Sequence, residues 1–302
     1  MTSKQNTFQK PILKWSGRKY PLLSSIIKNT PNSENGSYFE PFLGSGSVFI
    51  NVVQSKSFSD FVLNDSLEEL VEAYTIIRNG NLNKLSSIIN ELEDSYNRKK
   101  THSGREDFYY EKREAYNLML SKRKKTDTDL YNLTSLLLFI NKTCFNGVYR
   151  KNSTGKFNVP HGRRPSVSQN VALVNKDELI GFSKQLSKAT ITSADYKEIL
   201  LEVKKDDVVY LDPPYVKTVN YYGVEKFDEQ ESLELKQEID KLTSRKVKVL
   251  MSNSNTEMTK DIFINKNYFY KELSATRTIE RRSLKKDSKT SNELLIANFK
   301  LI

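Results

Sequence analysis

The residues best suited to chemistry follow an apolar run in the last third of the chain. The run 208–211 ends at Asp212, and Pro213, Pro214 and Tyr215 come directly after it. Each proline fixes its own backbone and biases the preceding residue towards an extended conformation, so the segment is stiff. A carboxylate, a fixed Pro213 carbonyl and the face of Tyr215 suit a planar ring that carries an exocyclic amine. This tract is therefore the first candidate for a catalytic site.

A second tract, 39–47, combines a predicted strand end with two glycines, Gly44 and Gly46. Such glycines let the backbone turn sharply and approach a ligand closely, although a simple tight turn has the same pattern. Asp65 lies 21 residues after Gly44, at the end of the next predicted strand, where a carboxylate can accept hydrogen bonds from ribose hydroxyls. The alternative for Asp65 is an acid favoured by the dipole of a helix N-terminus. Phe49 replaces the third glycine of a dinucleotide fingerprint, so the tract favours a nucleoside without phosphates, such as S-adenosylmethionine.

These tracts need a sheet to bring them together, and the apolar runs predict one. Strands are predicted within 38–53 and at 61–65, 208–211, 247–251 and 293–299. A capping box of Ser66 and Glu69 predicts the start of a helix after the second strand, and Asn79-Gly80 predicts its end. Residues 229–243 predict another amphipathic helix. Its apolar members are Leu233, Leu235, Ile239 and Leu242. Alternation of strands and helices is typical of a parallel α/β sheet.

The middle of the chain departs from this alternation. From about residue 82 to residue 140 the sequence shows helical periodicity and many charges, with little strand signal. We therefore predict an α/β core formed by residues 1–78 and 190–302. A mainly helical insertion, residues 79–189, interrupts it.

The composition narrows the class of partner. The chain has 302 residues, 48 Lys and Arg against 37 Asp and Glu, and a formal net charge of +11. A basic excess suits a polyanion, with nucleic acid as the first candidate and an anionic membrane as the second. One cysteine excludes an intrachain disulfide, and two histidines argue against a metal site. The absence of a long apolar stretch and of an apolar signal core predicts a cytoplasmic protein that is not secreted.

Two basic tracts could contact nucleic acid. Residues 141–165 hold six basic residues and no acid, interleaved with Phe145, Tyr149 and Phe157, which suits phosphate contacts combined with stacking. Arg150 is the best candidate there for a bidentate guanine contact. Residues 276–290 hold six basic residues and two acids, and they are either a phosphate-contacting loop or a solvated surface run.

Several tracts together resemble the Dam-type (alpha-group) N6-adenine DNA methyltransferase family. L-K-W-S-G-R-K at 13–19 resembles its N-terminal cofactor motif, and the two tracts described first resemble its glycine turn and its Asp-Pro-Pro-Tyr motif. C-F-N-G-V-Y-R-K-N-S-T-G-K-F-N-V-P-H-G at 144–162 is similar to its central signature, and M-S-N-S-N at 251–255 to a later strand end. The resemblance covers nearly the whole chain in the family's order. Arg18 departs from it, because the N-terminal motif usually has a glycine there.

The resemblance implies a fold, a reaction and a set of site residues. The fold is the Rossmann-like α/β sheet of S-adenosylmethionine-dependent methyltransferases with an inserted, mainly helical target-recognition domain. The reaction is methyl transfer from S-adenosylmethionine to N6 of an adenine flipped out of duplex DNA, with GATC as the candidate site. The implied catalytic residues are Asp212, Pro213, Pro214 and Tyr215. The implied cofactor-binding residues are Trp15, Lys19, Phe42, Gly44, Gly46, Asp65, Asp195 and Asp212.

The resemblance also implies how DNA is read. The implied DNA-binding residues are Lys14, Phe145, Asn146, Val148, Arg150, Asn158, Arg163, Arg281 and Arg282. In the family, the residue aligned with Phe145 enters the vacated stack, and those aligned with Val148 and Arg150 read bases. Asp195 has an alternative as a surface helix N-cap.

Other functions remain open at this point. A catalytically silent DNA-binding regulator could retain the fold, and the same pocket could methylate an RNA adenine or N4 of cytosine. The cytosine enzymes more often have serine in place of Asp212. The expected partners are double-stranded DNA and a restriction endonuclease of the same system. No metal or membrane partner is expected, and the protein is expected to act as a monomer or weak dimer.

Overall fold

The computed structural model describes residues 8–15, 17, 19–163, 166–215, 227–276 and 290–302. Seven strands form one sheet: β1 (Tyr38–Glu40), β2 (Phe61–Asn64), β3 (Ala189–Thr192), β4 (Val208–Leu211), β5 (Lys248–Ser254), β6 (Phe269–Thr276) and β7 (Thr290–Ala297). The α-helices of the described residues are α1 (Leu23–Asn29), α2 (Phe49–Ser55), α3 (Glu68–Asn79), α4 (Leu82–Asn97), α5 (His102–Leu120), α6 (Asp127–Thr143), α7 (Lys176–Leu186), α8 (Tyr196–Glu202), α9 (Glu229–Ser244) and α10 (Glu257–Phe263).

The strand order is β3-β2-β1-β4-β5-β7-β6, which confirms the predicted α/β class. Strands β1 to β5 are parallel to one another, whereas β7 is antiparallel to both β5 and β6. In β1, Tyr38 pairs with both Phe61 and Val208, so the chain order reverses between β1 and β4. Open α/β sheets bind ligands beyond the carboxyl ends of their strands at such a reversal.

The strands are apolar because helices cover both faces of the sheet. All four residues of β4 are buried, and its side chains alternate between two separate hydrophobic clusters. Val208 and Tyr210 belong to a cluster that also contains residues of α2, α3 and α6. Val209 and Leu211 belong to a cluster that contains residues of α8 and α9. A strand buried on both faces leaves its carboxyl end as the place where a polar group can reach a ligand.

Helices α4 to α7 lie between α3 and β3, where the sequence predicts an insertion. Helix α6 packs against α3, α4 and α5, while α7 packs against α2, α3 and β3. Buried Arg105 of α5 donates to the backbone oxygens of Val167 (2.8 Å) and Gln169 (3.0 Å), and Asn97 of α4 pairs with the backbone of Val171. These bonds hold the chain between α6 and α7 against the helices.

Several local predictions are confirmed and others are wrong. The predicted strands, the end of α3 at Asn79-Gly80 and helix α9 are all present. The capping box is wrong: α3 begins at Glu68, its N-cap is Leu67 instead of Ser66, and no side chain caps the helix. Leu233 is 41% exposed, although the helix pattern placed it on the apolar face. Strands β3 and β6 had not been predicted.

The lack of a long apolar stretch in the sequence predicts that the chain has no membrane-spanning helix. Within the described ranges, no helix is both long enough and apolar enough to cross a bilayer.

Candidate active site and nucleic-acid interface

The glycine turn follows β1 at the strand-order reversal. Gly44 and Gly46 have φ values of 51° and 70°, a left-handed conformation that favours glycine. Tyr74 of α3 donates to the Gly44 carbonyl (2.7 Å), which fixes the turn against the helix. A Cβ atom at Gly44 would lie 3.0 Å from the Trp15 ring, so glycine is also what allows the N-terminal motif to approach this turn.

Asp65 ties this turn to the end of β2. Its Oδ2 accepts the Gly44 N–H (2.7 Å), and its Oδ1 accepts the Leu67 N–H (3.0 Å). Burial raises the pKa of Asp65 to about 6, against these two hydrogen bonds, which lower it. Next to it, Asn64 donates to the carbonyls of Pro41 (3.1 Å) and Ala194 (3.0 Å), which joins the loops after β1 and β3. The structure thus brings the predicted Asp65 and glycine turn together.

The Asp-Pro-Pro-Tyr tract follows β4 and meets Lys19. Lys19 Nζ lies 2.8 Å from Asp212 Oδ1 and 3.5 Å from Glu293 Oε2, and it donates to Tyr215 Oη at 2.5 Å. Tyr215 Oη in turn donates to Glu293 Oε2 (2.8 Å), and Ser252 Oγ donates to Asp212 Oδ1 (3.1 Å). Residues from four segments that are far apart in sequence, Lys19, Asp212 with Tyr215, Ser252 and Glu293, therefore form one hydrogen-bonded cluster.

The charges of this cluster do not balance. Burial alone would lower the pKa of Lys19, but Asp212, Tyr215 and Glu293 hold it well above its usual range. Burial raises the pKa of Asp212 to about 6, although the Lys19 ammonium group lowers it. Burial also raises the pKa of Glu40, at the end of β1, to about 8, while its hydrogen bond from Tyr38 lowers it. Lys19 thus pairs with two carboxylates, those of Asp212 and Glu293, and its single charge can neutralise only one of them.

Two further predicted cofactor residues lie at the edge of this region. Phe42 packs on Tyr196 and Phe227 with centroid distances of 5.1 and 6.2 Å. Asp195 is exposed and caps α8, because its side chain accepts the Lys197 N–H (2.7 Å). Its predicted alternative as a surface N-cap is therefore present. The Trp15 ring stacks on the Tyr149 ring, with centroids 5.5 Å apart and an angle of 18° between the ring planes.

Most of the first basic tract predicted to contact nucleic acid, 141–165, forms a folded-back loop after α6. Isolated bridges join Cys144 to His161 and Lys151 to Phe157. We call residues 144–162 the reading loop. At its start Phe145 is 54% exposed, and Asn146 adopts a left-handed backbone with φ of 55°. A large apolar side chain held outward on a tight turn is suited to wedge between bases.

Lys14 packs against the reading loop, and Arg150 is part of it. Asn141 of α6 bonds both backbone groups of Lys14 at 2.8 Å, and the Lys14 side chain packs so closely on Gly147 that a Cβ there would lie 2.6 Å from it. Arg150 Nε donates to Asn158 Oδ1 (2.7 Å). Lys14 is thus placed beside the turn of Phe145, and Asn158 orients Arg150.

Four further residues are predicted to bind DNA: Val148, Arg163, Arg281 and Arg282. Val148 is half-buried and packs against the core, and Arg163 is exposed just beyond the reading loop. Arg281 and Arg282 lie outside the described residues, as does most of the tract 276–290. Across the described ranges, no group of three or more His, Cys, Asp or Glu side chains could hold a metal ion.

Sequence reasoning missed three buried acids: Glu40, Glu69 and Glu293. Glu40 is the last residue of β1 and Asp65 directly follows β2, so the argument that selected Asp65 could have selected Glu40 as well. Glu293 is the first residue of the apolar run 293–299, and an acid in that position is a weaker indication of a site residue. Glu69 had been predicted as a capping-box partner, but it is buried and accepts hydrogen bonds from Tyr149 and Lys151.

The arrangement defines a class of protein. A glycine turn after β1, an acid at the end of the neighbouring strand and an Asp-Pro-Pro-Tyr tract after β4 meet at the strand-order reversal. The sequence model of the D12 class N6 adenine-specific DNA methyltransferases matches residues 15–279. The chain belongs to this family.

Individual relatives agree with this assignment. The Type II methyltransferase M.MjaIII of Methanocaldococcus jannaschii is 31% identical over 300 residues, which cover 96% of this chain and 99% of its own. The DNA adenine methylase of Serratia marcescens is 31% identical over 291 residues, covering 94% and 96% of the two chains. That of Escherichia coli is 29% identical over 254 residues, covering 82% of each.

Proposed function

We propose that the enzyme transfers the methyl group of S-adenosylmethionine to N6 of an adenine rotated out of duplex DNA, with GATC as the candidate site. The observation that carries this proposal is the position of Asp212. It lies at the carboxyl end of β4, beside the glycine turn of β1, and Tyr215 lies three residues further on. An acceptor for an exocyclic amine is thus next to a turn suited to a nucleoside.

The residues around the glycine turn fit S-adenosylmethionine. When bound, this cofactor supplies an electrophilic methyl group on a positively charged sulfur. Asp65 is partly exposed and already oriented by the Gly44 N–H, which leaves further lone pairs of its oxygens for ribose hydroxyls. The Gly46 turn and Phe42 would line the site, and Trp15 would close it from the N-terminal motif. Asp195 would contribute from the loop after β3. The excess of carboxylates around Lys19 suits a cationic ligand.

Adenine N6 needs help to act as a nucleophile, because its lone pair is delocalised into the ring. Asp212 and the Pro213 carbonyl would accept its two N–H groups and so free the lone pair for attack. Pro214 keeps the carbonyl out of helical pairing, and the Tyr215 ring would stack on the base. Tyr215 is held for this by hydrogen bonds of its hydroxyl group to Lys19 and Glu293. Preorganised acceptors of this kind lower the barrier without moving during the reaction.

DNA recognition would use residues 79–189. Rotating a base out of the duplex costs a few kcal/mol of stacking and pairing. Phe145 would fill the vacated space, Asn146 and Lys14 would support that turn, and Arg150 would read a guanine. Val148, Asn158 and Arg163 would complete the surface of the reading loop, with Arg281 and Arg282 of the tract 276–290 contacting phosphates.

The relatives also suggest a biological setting. One relative is named a Type II methyltransferase, a name used for partners of restriction endonucleases. We therefore infer that this enzyme works beside an endonuclease of the same specificity, inside the cell, and as a monomer or weak dimer on DNA.

The direct test uses duplexes that each contain adenine and cytosine in varied contexts, incubated with labelled S-adenosylmethionine. Hydrolysis and mass spectrometry should find N6-methyladenine, and sequencing should place it in one short motif. N4-methylcytosine, or methylation of RNA but not of duplex DNA, would favour the other substrates. A folded protein that binds DNA and transfers no methyl group to any nucleic acid would favour the silent regulator.

A further inference from the structure

Glu69 is a buried carboxylate that belongs to neither the methyl-transfer pocket nor the DNA surface. It lies in the first turn of α3, four residues after Asp65, and only 5% of it is exposed. A buried charge needs partners to offset its loss of hydration. The partners of Glu69 come from 80 and 82 residues further along the chain, in the reading loop.

Those partners are the two residues on either side of Arg150. Tyr149 Oη donates to Glu69 Oε1, and Lys151 Nζ lies 2.5 Å from the same oxygen. Burial raises the pKa of Tyr149 well above its usual range, so this phenol stays protonated and remains a donor. In an extended segment, alternate side chains point to opposite sides. Anchoring residues 149 and 151 on the inner side therefore turns Arg150 outward.

Further contacts make this anchor rigid. The Tyr149 ring stacks on Trp15, and its hydroxyl group lies 2.9 Å from that of Tyr116 in α5. The backbone of Asn158 donates to the Arg150 carbonyl (3.1 Å), while its side chain accepts from Arg150 Nε (2.7 Å). Both the backbone and the guanidinium group of Arg150 are thus fixed before any DNA is bound.

We propose that Glu69 is a specificity-determining residue: by holding Tyr149 and Lys151 it sets the direction from which Arg150 reads the DNA. This rests on the proposed function, in which Arg150 contacts a base. Glu69 touches neither substrate, so it acts as a positioning residue. A bidentate contact between an arginine and a nucleobase tolerates little misalignment. Loosening the segment that holds the arginine therefore reduces discrimination between DNA sequences more than it reduces binding to phosphates.

The test compares Glu69→Gln with Glu68→Gln, a neighbouring exposed acid at the start of the same helix. After the preferred sequence has been found with the wild type, kcat/KM is measured on that duplex and on duplexes with each single base pair changed. We expect Glu69→Gln to reduce discrimination at one base pair by about tenfold or more. Glu68→Gln should leave that discrimination unchanged.

Lys151→Met keeps the test decisive if Glu69→Gln folds poorly. It removes the same ion pair from the other side and should relax the same base-pair position. Combining Glu69→Gln with Lys151→Met should give little further loss, because both substitutions break one interaction. Unchanged discrimination in both single variants, or an equal loss of rate on every duplex, would overturn the assignment. Failure of the wild type to methylate DNA would instead sink the proposed function.

Discussion

The methyl-transfer pocket and the reading loop both contain buried carboxylates, but they balance charge differently. In the pocket, Lys19 is shared by Asp212 and Glu293, with Glu40 close to Asp212. In the reading loop, Glu69 has its own ammonium partner, Lys151. Burial raises the pKa of Asp212 to about 6, although the Lys19 ammonium group lowers it, and Lys19 is also 3.5 Å from Glu293.

This difference matches what each region has to do. An under-compensated carboxylate can accept donors from an incoming ligand, because binding improves its environment. A compensated one holds protein groups in place and gains nothing from a ligand. The pocket is thus prepared to receive an amine and a cation, and the reading loop is prepared to present Arg150 in a fixed direction. Single substitutions can therefore alter one of the two regions at a time.

Asp212→Ala should have the largest effect. It removes the acceptor for the adenine amine, and we expect methyl transfer to fall by at least about 10³-fold, in the upper range for loss of one preorganised electrostatic contact. Binding to duplex DNA, measured by fluorescence anisotropy, should change by less than about threefold. Lost folding or lost DNA binding would show that Asp212 has a structural role.

Arg150→Ala should have the next largest effect. It should change the preference for one DNA sequence over another and not the rate of methyl transfer as such. A bidentate base contact contributes about 1–3 kcal/mol of discrimination, so relative rates at one base pair should converge by about 10- to 100-fold. Lys156→Ala, at the exposed tip of the reading loop, is the matched control and should weaken all sequences equally. The same uniform loss for Arg150→Ala would reassign it to a phosphate.

Glu293→Gln should have a moderate effect that is independent of sequence. The amide can still accept from Tyr215 but no longer shares the charge of Lys19, which then pairs with Asp212 alone and competes with the adenine amine. We expect kcat to fall by about tenfold, or about 1.4 kcal/mol. Glu272→Gln, an exposed acid on β6 paired with Lys260, should leave kcat unchanged. An effect on KM for DNA without one on kcat would contradict this role.

Glu40→Gln should have the smallest effect, on stability. The pKa of Glu40 is raised to about 8, so between pH 6.5 and 7.5 the folded protein binds a proton that the unfolded chain has released. Unfolding free energy should therefore fall as pH rises, by up to about 1.4 kcal/mol per unit from this group. Urea titrations across this range should show that slope in the wild type and a flatter one in Glu40→Gln. Equal slopes would mean that Glu40 is ionised in the folded state.

The sequence predicted those parts of the candidate site that are formed by residues close together in the chain. Asp212, Pro213, Pro214 and Tyr215 are consecutive, and strand ends followed by glycines or acids mark the sheet edge. The five predicted strands and helix α9 are present for the same reason, since alternation and helical spacing extend over a few neighbouring residues.

The parts of the site that the sequence did not predict depend on contacts between residues far apart in the chain. Lys19 and Asp212 are 193 positions apart, and Glu69 and Tyr149 are 80 apart, so no local pattern shows that they meet. Glu69 fitted a capping-box spacing that the helix does not use, because α3 begins one residue later than predicted and the Glu69 carboxylate contacts Tyr149 and Lys151 instead. Strand β6 was missed because it is an edge strand in which Phe269 and Tyr270 are half exposed, which weakens the apolar alternation.

One measurement tests the division of labour between the two regions most directly. Single-turnover methyl-transfer rates would be measured on the preferred duplex and on its single-base variants, for the wild type, Glu293→Gln and Glu69→Gln. We predict that Glu293→Gln lowers the rate by the same factor on every duplex, whereas Glu69→Gln narrows the differences between duplexes. Two variants with the same pattern of rates across the panel would contradict the separation of chemistry from sequence choice.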